Sequence, residues 1–227
     1  MAERNERMSS TVFIVDDDAS VREAIEPLVR AEGLAAECHA SAESFLRTYT
    51  PERPGCLVVD LRLPGVNGAE LLERLPANPI RLPAIVLTGH ADVPSILRAT
   101  RAGSVAFLEK PFNPHVLQRH IRETVSSDRR ARQEHAQRNE IQKRITQLTP
   151  REKQVLEFVV AGKSNREVAL LLQRSQKTVE VHRTNVMRKM RAGNVAELVR
   201  LAVESGGLAA ATLPRDVPVE ATPSLGA

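Results

Sequence analysis

Tryptophan is absent from the 227 residues, and one tyrosine and five phenylalanines make up the rest of the aromatic side chains. Single-strand binding by base stacking needs an aromatic platform, so this composition argues against it. Two cysteines, Cys38 and Cys56, are too few for a disulfide scaffold or a cysteine-rich zinc site. A reducing cytoplasm is the compartment they imply. Long apolar runs are also missing. The longest, Val168–Leu172, spans five residues, which argues against a membrane-spanning helix and a membrane partner. Met1–Glu6 has no apolar core and does not read as a secretory signal. His39, His115, His120 and His135 show no metal-ligand spacing and read as surface or packing residues. No glycine-rich phosphate-binding loop is present.

What is there is ordinary for a globular chain: 42% hydrophobic and 26% charged residues. The length suits two modest domains. Charge divides them. Residues 1–126 carry 14 basic and 17 acidic side chains, residues 127–148 carry 6 and 3, residues 149–205 carry 11 and 6, and residues 206–227 carry 1 and 2. An acidic first half joined to a basic second half suggests two jobs, with the basic half a candidate for meeting a polyanion.

In the first half, short apolar runs alternate with helical patterns. Thr11–Val15, Leu34–His39, Cys56–Val59, Ala84–Leu87 and Val105–Leu108 read as strands. Val21–Glu32, Ala42–Tyr49, Ala69–Leu75, Ser95–Arg101 and Pro114–Val125 read as helices, with Ser20 and Ser41 at cap positions and Asn113 before Pro114. The expected fold is α/β, a doubly wound five-stranded parallel sheet over residues 9–125. Such sheets place their sites beyond the carboxyl ends of the strands.

Residues 126–147 form a charged segment with acid-before-base pairs four residues apart: Asp128–Arg132, Glu134–Arg138 and Glu140–Arg144. That spacing supports an exposed helix, continuing the last one to about 50 Å if unbroken; a flexible polar linker is the alternative. Residues 148–205 read as an all-α domain of four helices. Thr149 and Glu152 make a capping box with Pro150 between them, and Gly162 stops the helix. Ser164 or Asn165 caps a second helix through Leu172, Ser175 a third to about Met190, and a fourth runs from Val195 to Glu204. Residues 206–227, rich in Ala, Pro and Thr, read as a disordered tail.

Several strand ends carry polar residues that a buried strand should not carry without reason. Asp16 and Asp17 follow the first strand, Asp60 the third, Thr88 the fourth and Lys110 the fifth. In the expected sheet they converge at one edge. Clustered carboxylates repel unless a cation joins them, and Mg²⁺ suits oxygen ligands where phosphate arrives. Asp60 would then be a nucleophile accepting a phosphoryl group, with Lys110 pairing first with Asp60 and then with phosphoryl oxygens, and Thr88 donating its hydroxyl to them. Val15-Asp16-Asp17-Asp18, Val59-Asp60-Leu61-Arg62-Leu63-Pro64-Gly65, Leu87-Thr88-Gly89-His90 and Phe107-Leu108-Glu109-Lys110-Pro111-Phe112 resemble the receiver domain of two-component response regulators. The resemblance implies Asp60 as phospho-acceptor and Asp16, Asp17, Asp60 and the main-chain carbonyl of Arg62 as metal ligands. It also implies Phe107 at an aromatic switch position, a cis Lys110–Pro111 bond, and pairing of receivers through about Val93–Arg101 and Val105–Leu108.

Residues 164–190 have the shape of a helix-turn-helix. Val179, Val186 and Met190 share one face and should pack inward. Lys177, Glu180, Val181, Thr184, Arg188 and Arg191 lie largely opposite, mixing cations that hold phosphate with groups that can touch base edges. Leu148-Thr149-Pro150-Arg151-Glu152, Asn165–Ala169 and Lys177–Met190 resemble the LuxR-type DNA-binding domain. Thr178–Met190 and the Gly89–Pro94 loop are similar to the FixJ subfamily. The resemblance implies that Ser175–Met190 enters the major groove. Glu180, Val181 and Thr184 would then read bases, and Lys177, Thr178, His182, Arg183 and Lys189 would meet phosphate. Glu180 either accepts from a cytosine amino group or tunes specificity by repulsion.

The expectation is a transcription regulator rather than an enzyme. Its partners would be a sensor histidine kinase, double-stranded promoter DNA, RNA polymerase and a second copy of the chain on activation. Two other readings stay open: a phosphatase-like hydrolase, and a DNA-binding regulator whose receiver is a phosphorylation-independent protein-binding module.

Overall fold

The computed structural model describes residues 10–75, 80–89 and 93–206. The tail from 207 onward, residues Met1–Ser9 and His90–Asp92 of the Gly89–Pro94 loop lie outside them. The chain forms two compact units, Met1–His135 and Ala136–Ala227.

In the first unit, β1 (Thr11–Val15), β2 (Ala35–His39), β3 (Gly55–Asp60), β4 (Ala84–Thr88) and β5 (Ser104–Glu109) form one parallel sheet in the order β2-β1-β3-β4-β5. Between them run α1 (Ala19–Ala31), α2 (Ala42–Thr48), α3 (Gly68–Arg74) and α4 (Val93–Arg101), and α5 (Pro114–Thr146) follows β5. The period-2 alternation divides the strands between two cores. Phe13, Val15, Leu57, Val59, Ala84 and Val86 pack against α2, α3 and α4, while Val12, Ile14, Cys56, Val58, Ile85 and Leu87 pack against α1 and α5. Asp18, not Ser20, caps α1: its side chain accepts from the Ser20 amide at 2.8 Å. The helix begins ahead of its apolar periodicity because a carboxylate stands there to accept an orphan N–H.

Helix α5 is continuous from Pro114 to Thr146. Asp128–Arg132 and Glu140–Arg144 pair along it as the sequence suggests. The first departs from the exposed helix the sequence suggested. Asp128 is buried, because it also accepts from the Gly55 amide at the start of β3.

The second unit has its own core of Val155, Leu156, Val159, Val168, Val179, Val186, Met190, Leu198 and Ala202, joined by Ile141 and Leu148. Its helices are α6 (Pro150–Val160), α7 (Asn165–Leu172), α8 (Gln176–Met190) and α9 (Val195–Glu204). The Thr149/Glu152 capping box forms, Ser164 rather than Asn165 caps α7, and Gln173 turns the chain to α8 with φ 52°. Glu152 is buried, and besides capping α6 its carboxylate takes the Lys189 ammonium at 2.6 Å, pinning α6 to the end of α8. Burial alone would raise its pKa, but the bonds from Lys189 and Thr149 outweigh it and hold the carboxyl below its ordinary value. A depressed acid stabilises the fold above its unfolded pKa and stops doing so as pH falls through its folded pKa. Glu152→Gln is therefore expected to cost about 2 kcal/mol at neutral pH. Urea unfolding of both chains across pH checks it: the gap should hold above 4.5 and close as acid titrates the wild-type carboxylate.

Candidate functional site

Parallel strands end together, so whatever follows them is brought to one edge. The register sets Val15 beside Val59, Asp60 beside Leu87 and Thr88 beside Glu109. Amide donation from Leu61 to Leu87 and from Lys110 to Thr88 carries the ladder just past the strands. Asp16, Asp17, Asp60, Thr88 and Lys110 therefore gather at the carboxyl edge. Single carboxylate oxygens of Asp16, Asp17 and Asp60 lie within 4.8 Å of one another. Asp16 and Asp60 are buried and Asp17 is exposed.

The Lys110 ammonium bridges two of the acids, 2.7 Å from Asp16 Oδ2 and 2.5 Å from Asp60 Oδ2. The other oxygens are held by backbone: Asp18 N–H donates to Asp16 Oδ1 at 3.0 Å and Arg62 N–H to Asp60 Oδ1 at 2.9 Å. Burial pushes the Asp16 carboxyl above its ordinary range, and the Lys110 contact only partly offsets this. Burial works against the Lys110 charge as well, yet the two carboxylates outweigh it and raise its pKa. Lys110–Pro111 is cis. Thr88 Oγ1 is buried with no hydrogen-bond partner among the described residues, a position a polar group keeps only at a cost. Phe107, half-buried on β5, packs against the core on the α2, α3 and α4 side of the sheet.

Two residues that shape this edge gave no signal in the sequence. Gly68 opens α3 so close to Asp60 that a Cβ there would sit 2.3 Å from the Asp60 carbonyl oxygen. Any other residue would displace the acceptor strand's end. Arg22, on α1, donates to the main-chain carbonyls of Asp16 and Asp17. Neither contact involves a functional side chain of the cluster, so no pattern of acids and bases reveals it.

On α8, Val179, Val186 and Met190 are fully buried, and Lys177, Glu180, Val181, Thr184, Arg188 and Arg191 are exposed. Val181 keeps 56% of its surface in solvent. Thr178 and His182 are half-buried. Three cations of α8 have partners within the unit: Arg183 donates to Asn165 Oδ1 at 2.8 Å, Arg188 to Asn185 Oδ1 at 3.3 Å, and Lys189 is held by Glu152 and the Gln147 carbonyl.

Residues 12–122 match the response regulator receiver domain family, and residues 146–202 match the luxR family of bacterial regulatory proteins. The transcriptional regulatory protein FixJ of Azorhizobium caulinodans is 44% identical over 199 residues, covering 87% of this chain and 94% of FixJ. The response regulator protein TodT of Pseudomonas putida F1 is 38% identical over 193 residues, covering 85% of each chain. The solved structure of the response regulator StyR matches with a TM-score of 0.79 at 38% identity, covering 86% of this chain and 99% of that one. With its acidic sheet edge and its helix-turn-helix unit, the chain belongs to the response regulators that join a receiver domain to a LuxR-type DNA-binding domain, the family of transcriptional regulators that includes FixJ and TodT.

Proposed function

We propose that Asp60 accepts a phosphoryl group from a sensor histidine kinase and that the modified chain dimerises and binds promoter DNA. The observation that carries this is the Lys110 ammonium held between Asp16 and Asp60 at the strand edge that ends in the buried hydroxyl of Thr88, which has no partner among the described residues. A carboxylate oxygen of Asp60 attacks phosphorus, the P–N bond of the donor phosphohistidine breaks, and the imidazole leaves with the electron pair. Lys110 then follows the new phosphoryl oxygens, and Thr88 spends its free hydroxyl hydrogen on one of them. Their displacement favours a packing with Phe107 drawn inward.

The oxygen donors of Asp16, Asp17 and Asp60 fit a hard divalent cation, with the Arg62 main-chain carbonyl as a further ligand. Mg²⁺ held there supplies charge neutralisation for the incoming phosphoryl oxygens. Exposed Leu97 on α4 and Val105 on β5 suit a face that pairs with a second copy. In the second unit, Lys177 and Arg188 suit phosphate, while Glu180, Val181 and Thr184 suit base edges. His182, Thr178 and Arg183 are further phosphate candidates; Lys189 reaches DNA only by leaving Glu152. We place the regulator in the cytoplasm, acting with RNA polymerase; no helix among the described residues is long and apolar enough to cross a membrane.

The test is selection on random duplex DNA with and without a phosphodonor and Mg²⁺. Phosphodonor-dependent enrichment of one sequence is expected. Equal enrichment in both arms would instead favour a receiver that acts as a phosphorylation-independent binding module. On the selected site, Lys177→Ala should weaken binding to all sequences alike and lower the slope of log affinity against log salt by about 1. Val181→Ala should change the preferred base and leave that slope alone.

A further inference from the structure

We infer that Arg22 is a positioning residue for the acidic edge: it fixes the backbone on both sides of Asp17 and so aims that carboxylate at the cation. The inference rests on the phospho-acceptor reading of this edge and deepens it.

The three acids are not held alike. Asp16 has both oxygens engaged, one by the Asp18 amide and one by Lys110. Asp60 is likewise engaged at both oxygens, by the Arg62 amide and Lys110. Asp17 is exposed, yet it supplies an oxygen within 4.8 Å of the other two. The direction in which its Cα–Cβ bond leaves the chain, and with it the space its rotamers can sweep, is set by the peptide planes before and after it. The carbonyls of those two planes belong to Asp16 and Asp17. Arg22 Nη1 takes both, at 2.6 and 3.0 Å. Charged donors make stronger hydrogen bonds than neutral ones, and a guanidinium is planar and preorganised. Arg22 stands on the first turns of α1, whose start is fixed by the Asp18 cap, so the clamp has a rigid base. An Asp17 side chain left to solvent would point at the cation only part of the time. With its backbone fixed by Arg22, the Asp17 side chain starts from a set Cβ position and has fewer arrangements to lose when the cation arrives.

The experiment uses the full-length chain. Mn²⁺ binding is followed from the electron paramagnetic resonance of the free ion, and Mg²⁺ is measured by competition. Arg22→Gln and Arg22→Met should weaken Mn²⁺ about tenfold, the range for removing a group that orients a metal ligand. Arg22→Lys, a donor of shorter reach, should fall between them and wild type. Labelling by a small phosphodonor should need more Mg²⁺ for half-maximal rate in these variants but reach the wild-type rate at saturation, a split that general destabilisation does not give. Wild-type Mn²⁺ affinity in Arg22→Gln and Arg22→Met overturns the inference. Should both fail to fold, Arg22→Lys decides, and wild-type affinity there overturns it equally. Asp60→Asn run in parallel separates the two readings. Labelling that survives in Asp60→Asn sinks the phospho-acceptor reading whatever Arg22 does. Labelling lost in Asp60→Asn, with unchanged Mn²⁺ affinity in the Arg22 variants, sinks only the role of Arg22.

Discussion

Asp60→Asn is expected to abolish phosphoryl acceptance. Incubated with a small phosphodonor and Mg²⁺, the wild-type chain should gain one phosphoryl group by intact mass, and the variant none. The substitution is close to isosteric. The amide oxygen can still accept from the Arg62 N–H that now meets Oδ1 at 2.9 Å, so the end of β3 keeps its hydrogen bond. What goes is the nucleophile: a neutral amide does not attack phosphorus as a carboxylate does. The amide NH₂ also faces the Lys110 ammonium, which now lies 2.5 Å from Asp60 Oδ2, and two donors cannot satisfy each other. Lys110 keeps Asp16, at 2.7 Å, as its remaining partner. The variant should therefore fold, with a local rearrangement confined to the lysine. Asp16 or Asp17 taking the phosphoryl group in its place, as mapped on peptides, would refute the assignment of Asp60.

How much of this was readable beforehand follows from what each residue contacts. The strands were visible because their alternation reports two buried faces, Val12 and Ile14 on one and Phe13 and Val15 on the other. The acidic edge was visible because Asp60 and Thr88 interrupt or end apolar runs, and parallel topology then brings strand ends together. Contacts to backbone left no such mark. Gly68 matters through the Asp60 carbonyl and Arg22 through the carbonyls of Asp16 and Asp17. In a sequence the first is one glycine among several, and the second a basic residue on a helix. A charge's distant partner leaves no trace in its local sequence. Lys189 is a phosphate candidate in the sequence, and only the fold shows Glu152, 37 positions earlier, against it. Asp128–Arg132 has the spacing of a solvent-facing helical pair, and only the fold shows that Gly55 shares the carboxylate.

That last contact carries the second large effect, at the opposite end of β3 from the acceptor. Asp128→Ala is expected to destabilise the first unit by about 3–5 kcal/mol, the range for removing one partner of a buried ion pair. Its side chain is fully shielded from solvent. It accepts from Gly55 N–H at 2.9 Å and from Arg132 Nε at 2.9 and 3.0 Å, and Arg132 Nη1 continues to the carbonyls of Pro51 and Glu52. Alanine leaves a buried amide without an acceptor and a guanidinium without its counter-charge. Arg132 Nη1 is already committed to those two carbonyls, so it has little left to compensate with. Nor can the β3 end shift to solvate itself, since Gly55 lies where a Cβ would stand 1.7 Å from the Thr11 carbonyl oxygen. Urea unfolding of the full-length chain measures the loss, and a change below about 1 kcal/mol would place the pair with surface ion pairs instead. The double variant Asp128→Ala, Arg132→Met removes both charges and should recover part of the loss, because an unpaired guanidinium costs more than an absent one. Folded molecules of either variant should still accept phosphate at Asp60, since among the described residues the hydrogen bonds of Asp128 and Arg132 go to the start of β3 and the loop before it. The stretch that holds this pair begins past residue 122, where the match to the receiver family ends. A receiver truncated at residue 125, which lacks this pair, should therefore unfold at lower urea than one ending at 135.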